Sequence, residues 1–178
     1  SKQLVDSLRE KGIEDEKVLQ AINAVPRHLF MDNAFINFAY QDKAFPIGAG
    51  QTISQPYTVA FQTQLLDVQE GEKILEIGTG SGYQTCVLLE LRAKVFSIER
   101  HKSLYLHTKK FLHSLNYNAR LFFGDGYKGL PAYAPFDKIL ITAAAPVIPE
   151  ELKRQLKIGG LMVIPFGEGS TQRMLRIT

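Results

Sequence analysis

Apolar and polar positions alternate along this chain in blocks that predict strands and helices by turns. The clearest block is Lys73 to Tyr83, Lys-Ile-Leu-Glu-Ile-Gly-Thr-Gly-Ser-Gly-Tyr. Ile74, Leu75 and Ile77 suit a strand buried on both faces, as a parallel sheet covered by helices requires. Gly78, Gly80 and Gly82 then predict a tight turn whose backbone can approach a ligand, and a helix follows over roughly Gly82 to Leu91. Further along, Lys94 to Ile98, Ala119 to Phe123, Phe136 to Ile141 and Leu161 to Pro165 read as strands. Lys102 to Leu115 and Glu150 to Leu156 read as the intervening helices, the second capped by Gly159 and Gly160. Upstream, residues 2 to 11 form a short helix ended by Gly12. Asp15 caps a second helix carrying Val18, Ile22 and Val25, stopped by Pro26. Tyr57 to Asp67 has a helical pattern, whereas Ala39 to Tyr57 shows little periodicity and reads as a long loop. The expected fold class is α/β: a doubly wound, mostly parallel Rossmann-like sheet with helices on both faces and an N-terminal helical extension, its site at the carboxyl ends of the strands. One domain is expected over 1–178, with 1–57 supplying helices and the long loop, and 58–178 the core.

Composition narrows the classes. An apolar content of 45% over 178 residues supports a real core in one domain. The net charge of +3 is small and interspersed, which gives nucleic acid no support as a partner. Cys86, the only cysteine, excludes an internal disulfide and fits a reducing, cytoplasmic setting. It reads as a buried structural thiol. No run of 18 apolar residues appears, so neither a membrane span nor a membrane partner is expected, and the N-terminus does not read as a signal peptide. A monomer is expected.

The glycines run Gly78-x-Gly80-x-Gly82 rather than in the dinucleotide spacing, and Glu76 precedes them by two positions. An acid there would repel a pyrophosphate and attract a ligand carrying an ammonium and a sulfonium, as S-adenosylmethionine does. Glu99 ends the next apolar run, where a ribose finds a carboxylate acceptor. Asp125, between Gly124 and Gly126, is placed to accept from an adenine amino group, although Asp-Gly is also ordinary turn chemistry. A glycine turn with no ligand is the plainer alternative for the whole motif. Thr52 and Ser54 offer hydroxyl donors in the long loop, or serve turn chemistry alone. His28, beside a helix end, reads as structural. Thr142-Ala-Ala-Ala-Pro146 holds no carboxylate or carboxamide to receive an N–H, which argues against methylation of an exocyclic or amide nitrogen.

Val25-Pro-Arg-His-Leu-Phe30, Gly50-Gln-Thr-Ile-Ser-Gln-Pro-Tyr57, Leu75-Glu-Ile-Gly-Thr-Gly-Ser-Gly-Tyr83, Gly124-Asp-Gly126, Ala143-Ala-Ala-Pro146 and Gln155-Leu-Lys-Ile-Gly-Gly160 together resemble the protein-L-isoaspartate O-methyltransferase family. The likeness runs through nearly the whole chain in order. It implies an enzyme moving the methyl of S-adenosylmethionine to the α-carboxylate of L-isoaspartyl residues in damaged proteins and peptides. It also implies Ser54 as the active-site serine near the substrate carboxylate, with Thr52 and Ile53 shaping the cofactor pocket. Gly78, Thr79 and Gly80 would lie against the methionine moiety, Glu99 with Arg100 at the ribose, and Asp125 with Gly126 by the adenine. Glu76 and Gly82 complete the expected cofactor set, with no metal. The family continues past the strand holding Met174, Leu175 and Ile177, so a closing C-terminal strand is expected to be missing. Another methyltransferase of this fold acting on RNA or a small molecule, or a non-catalytic cofactor-binding module, remains as an alternative.

Overall fold

A computed structural model describes residues 2–48, 50–142, 147–166 and 173–177. Two helices open the chain, α1 (Lys2–Glu10) and α2 (Glu16–Ala24). The Asp15 side chain accepts from Lys17 N at 3.0 Å and satisfies an N–H that the first turn of α2 leaves free. Leu4, Leu8, Val18 and Ile22 are buried along one face of this pair. Two 3₁₀ turns follow, Arg27–Phe30 and Asn33–Phe38.

The stretch expected to be an irregular loop contains a small antiparallel hairpin, β1 (Phe45–Gly48) with β2 (Gln51–Ile53). Pro46 within a four-residue strand, a register irregularity and positive φ angles at Gly48 (97°) and Gly50 (68°) hide it from any periodicity test. Helix α3 (Pro56–Leu66) starts with proline in its first turn, where no N–H is needed. Its free Tyr57 N–H is taken by Asp42 Oδ1 at 2.7 Å, and Lys11 pairs with the other oxygen of that carboxylate.

The main sheet comprises β3 (Lys73–Ile77), β4 (Lys94–Glu99), β5 (Arg120–Phe123), β6 (Phe136–Ile141), β7 (Leu156–Phe166) and β8 (Arg173–Ile177). The intervening helices are α4 (Tyr83–Glu90), α5 (Lys102–Ser114) and α6 (Glu150–Gln155). The strand order is β5-β4-β3-β6-β7-β8, parallel except for β8, which runs antiparallel to β7. Alternate residues of β3 enter different cores. Ile74 meets Leu66, Leu88 and Val95, while Leu75 and Ile77 meet Phe136, Ile139 and Leu152, which is why the strand is apolar on both faces.

Strand β7 begins directly after α6, so Gly159 and Gly160 lie inside a strand and do not cap the helix as expected. Gly159 has φ 81°, and a Cβ on Gly160 would come within 2.6 Å of Asp137 O. These glycines absorb the register irregularity between β6 and β7 and its close backbone approach. From β3 the chain winds out through β4 to β5, then crosses to β6 on the other side. The carboxyl ends of β3 and β6 therefore diverge and leave a crevice. Among the described residues, no helix is long and apolar enough to cross a membrane.

Candidate active site

A cavity of about 580 Å³ fills that crevice. The size is within the range of small-molecule and cofactor sites, ~300–1,000 Å³. Thr52 and Ser54 reach it from the hairpin side, Gly78, Thr79 and Gly80 from the turn after β3, and Glu99 with Arg100 from the end of β4. Asp125 and Gly126 close it beyond β5. Four segments separated along the chain thus converge on one space.

The turn after β3 is held in place by its neighbours. Gly78 (φ 97°) donates its N–H to Ile98 O at 2.9 Å, and a Cβ here would stand 2.4 Å from Thr142 Oγ1. Only glycine satisfies both the angle and the approach. Gly80 N donates to Glu99 Oε1 at 2.9 Å, and Thr108 of α5 donates to Gly80 O at 2.7 Å. The other oxygen of Glu99 accepts from His101 N at 2.9 Å. Glu99 is 4% exposed, so two backbone amides offset its charge while each oxygen retains a lone pair for a ligand hydroxyl. Asp125 accepts from Tyr127 N at 3.0 Å. It is therefore both a turn-former and part of the cavity wall, and the two readings of its Asp-Gly context coexist. Beside it, a Cβ on Gly126 would meet Ile77 Cγ2 at 2.3 Å, which brings this backbone against β3.

Glu76, Ile53 and Gly82 do not line the cavity, contrary to expectation. The parity of β3 is the reason for Glu76: Ile77 turns to the cavity, so Glu76 turns beneath α4. There it is fully buried and accepts from Thr85 Oγ1 at 2.5 Å and Ser97 Oγ at 2.7 Å, both on Oε1. Thr79 in turn lies 2.6 Å from Ser97 Oγ, so Glu76 braces the glycine turn from below. Oε2 finds no partner among the described residues. Burial raises the carboxyl to about 7, against the opposing pull of the two hydroxyls. Ile53 is 1% exposed within the cluster formed with α1 and α2, and Gly82 lets α4 pack against α5, where a Cβ would meet Thr108 and Leu112 at 2.9 and 3.0 Å.

Other wall residues escape a motif reading. Gln62 of α3 and Gln84 of α4 are 2% and 8% exposed, polar groups on helix faces that point inward. Thr63 Oγ1 donates to Val59 O at 2.7 Å and accepts from Gln84 Nε2 at 2.9 Å, which fixes the orientation of the Gln84 amide. The signal available in sequence was their position. Gln62 and Thr63 occur at i+3 and i+4 from Val59, on the stripe that should be apolar. Tyr83 and Thr142 also line the cavity, Thr142 anchored by its hydroxyl 2.8 Å from Ile77 O. His28 Nδ1 lies 2.7 Å from Tyr40 OH and is not a wall residue. Cys86 is completely buried, and burial pushes its thiol up, which fits a structural role. Ala143 to Pro146, which with Thr142 form the strand end expected to offer no N–H acceptor, lie outside the described residues.

The whole chain, residues 1–178, matches the model of the family described as protein-L-isoaspartate(D-aspartate) O-methyltransferase (PCMT). A protein-L-isoaspartate O-methyltransferase of Cytophaga hutchinsonii is 62% identical over 177 residues, spanning 99% of this chain and 80% of that protein. Among solved structures, one protein-L-isoaspartate O-methyltransferase superposes with a TM-score of 0.86 at 27% identity, over 98% of this chain and 58% of its own. A Plasmodium falciparum relative of the same description, solved in complex with S-adenosyl-L-homocysteine, gives 0.84 at 26% identity, over 99% and 88%.

Proposed function

This chain belongs to the protein-L-isoaspartate(D-aspartate) O-methyltransferase family, and from that premise we infer how its crevice methylates the α-carboxylate of L-isoaspartyl residues in damaged protein. The observation that carries the reading is the meeting of the Thr52–Ser54 strand end with the glycine turn at one cavity, with Glu99 and Asp125 at its other side. That donor set fits S-adenosylmethionine. Glu99 keeps acceptor capacity for ribose hydroxyls, Asp125 for an amino group, and Gly80 leaves open space where a Cβ would stand.

Bound S-adenosylmethionine supplies an electrophilic methyl group, and the C–S electron pair stays with sulfur as S-adenosyl-L-homocysteine. The acceptor carboxylate is ionised at neutral pH, so no residue of this chain has to remove a proton. The work left to the protein is orientation, which is worth ~7–11 kcal/mol when reacting atoms are held in line. Ser54 and Thr52 supply hydroxyl donors where the carboxylate would lie. Ser54 acts as an orienting donor and not as a nucleophile, because it has no histidine or lysine hydrogen-bonded to it among the described residues. Glu99, fixed by Gly80 N and His101 N, and Asp125, fixed by Tyr127 N, are oriented to hold the adenosine end. The methyl ester product is then attacked by the following backbone nitrogen, methanol leaves, and a succinimide results that reopens partly as normal aspartate. We take residues 1–178 as belonging to one domain, with 1–57 contributing the hairpin and 58–178 the cofactor-binding core.

Selectivity follows from geometry. Isoaspartyl and aspartyl residues each carry one carboxylate, displaced by about one carbon–carbon bond along the chain, and a misplacement of ~1 Å can cost ~100-fold in rate. A methyl-transfer assay on matched isoaspartyl and aspartyl peptides tests this, with strong preference for the former expected. Ser54→Ala should lower kcat by up to ~100–1,000-fold, the scale of losing one oriented donor, with S-adenosyl-L-homocysteine affinity by calorimetry much less affected. Equal methylation of both peptides, or full activity in Ser54→Ala, would refute the assignment.

A further inference from the structure

Arg27 is fully buried, 0% exposed, yet makes no ion pair among the described residues. Its Nη2 donates to Lys43 O at 3.0 Å and to Ser54 O at 2.9 Å. The guanidinium lies over the Tyr83 ring with Cζ 4.7 Å from the centroid. Nε and Nη1 have no partner among the described residues. Burying a cation that makes no ion pair is costly, and burial lowers the Arg27 pKa against the opposing pull of Tyr83 and the nearby Asp42 carboxylate, although a guanidinium stays protonated. A neutral side chain of similar size would fill the space at far less cost, so the contacts have to explain the charge.

Those contacts join the turn after α2 to both ends of the hairpin and to the start of α4. Lys43 lies just before β1 and Ser54 just after β2, so one nitrogen grips both ends of the hairpin. Tyr83 opens α4 directly after the glycine turn, and both Ser54 and Tyr83 line the cavity. The planar fork and the cation–π face are properties of arginine that lysine does not share.

We propose that Arg27 is the positioning residue for Ser54, fixing the substrate-side hairpin against the cofactor-side helix through the Ser54 carbonyl and the Tyr83 ring. The proposal rests on the reading of Ser54 as the group that orients the acceptor carboxylate. With the guanidinium in place, the Ser54 backbone cannot drift relative to the glycine turn, and the hydroxyl is presented at a constant distance from the transferred methyl.

A double-mutant cycle on the full chain tests it, using isoaspartyl peptide at saturating S-adenosylmethionine. Arg27→Lys should lower kcat by roughly 10- to 100-fold, as expected for ~1 Å of misplacement, while calorimetric affinity for S-adenosyl-L-homocysteine stays within about twofold, the scatter of independent sites. In the Ser54→Ala background the same substitution should cost less than about twofold, because the group it positions is gone. Losses that multiply in the double variant, or a fully active Arg27→Lys, overturn the proposal. Should Arg27→Lys fail to fold, Arg27→Gln removes the buried charge while keeping one donor, and the cycle is run with it. If neither folds, Arg27 serves stability alone and the proposal fails. A Ser54→Ala enzyme with wild-type kcat would instead refute the reading of Ser54 itself.

Discussion

Glu76→Gln separates two accounts of the acid on β3, an electrostatic partner of the ligand or a brace beneath the glycine turn. In the structure both hydroxyl donors, Thr85 and Ser97, bind Oε1, and Oε2 is buried without a partner among the described residues. Burial raises the carboxyl from 4.5 to about 7. An acid whose folded pKa is raised binds its proton more tightly in the native state, so the contribution of Glu76 to stability is greatest below pH 4.5 and is lost as pH rises toward 7. At ~1.4 kcal/mol per pH unit, this interval corresponds to ~3 kcal/mol. For a domain of this size, each kcal/mol moves Tm by roughly 2–4 °C, so the group accounts for a fall of about 6–12 °C between pH 4.5 and 8. Glutamine keeps the acceptor for Thr85 and Ser97 and cannot ionise. Thermal melts of both proteins across that range should therefore show the Glu76→Gln curve flatter by about that amount. Calorimetric titration at pH 7 should show S-adenosyl-L-homocysteine affinity within about twofold of wild type. Parallel melting curves would refute the buried titration, and a large loss of affinity with a normal Tm would restore Glu76 to the ligand site.

Glu99→Gln places a donor against one of the two amides that now donate to the carboxylate, at Gly80 and His101. Losing charge-assisted bonds worth ~1.5–3 kcal/mol should weaken S-adenosyl-L-homocysteine binding by ~10- to 150-fold in the same titration, and unchanged binding would count against the ribose assignment. Gly126→Ala drives a methyl to 2.3 Å from Ile77 Cγ2. Overpacking of this kind costs ~1–3 kcal/mol, so melting should show a lower Tm and titration a weaker affinity, whereas a variant with both unchanged would mean this backbone gives way freely. Asp42→Ala removes the acceptor for Tyr57 N and the partner of Lys11. By analogy with loss of a helix cap, at ~0.5–2 kcal/mol, a drop in Tm of a few degrees is expected, with a wild-type melt as the refuting result.

What the sequence determined by itself was written in short range. The run Ile74 to Ile77 with its glycines is a strand, turn and helix start because local sterics and burial on both faces leave few other solutions. Asp15 and Pro26 bound α2 for equally local reasons, and Phe136–Ile141 is a strand at the expected residues. Thr52, Ser54, Gly78, Thr79, Gly80, Glu99, Arg100, Asp125 and Gly126 all reach one cavity because a doubly wound sheet brings its strand ends together at the switch point.

Tertiary structure decided which way side chains face and which distant groups meet. Glu76 is one residue from Ile77, and strand parity sends the two to opposite sides, a fact that depends on which face of the sheet forms the cavity wall. Gly82 serves the contact of α4 with α5, and Gly160 the approach of β7 to Asp137 O, neither of which any local spacing encodes. The hairpin β1–β2 exists through cross-strand pairing over an irregular register, so no period-2 signal announced it. Arg27 carries the same lesson furthest. In sequence it is a basic residue in a turn, and its burial against Ser54 O and the Tyr83 ring arises because the fold seats that turn between the end of the hairpin and the start of α4. Propensity and periodicity report the neighbours of a residue along the chain, whereas the energy of a buried charge depends on its neighbours in space.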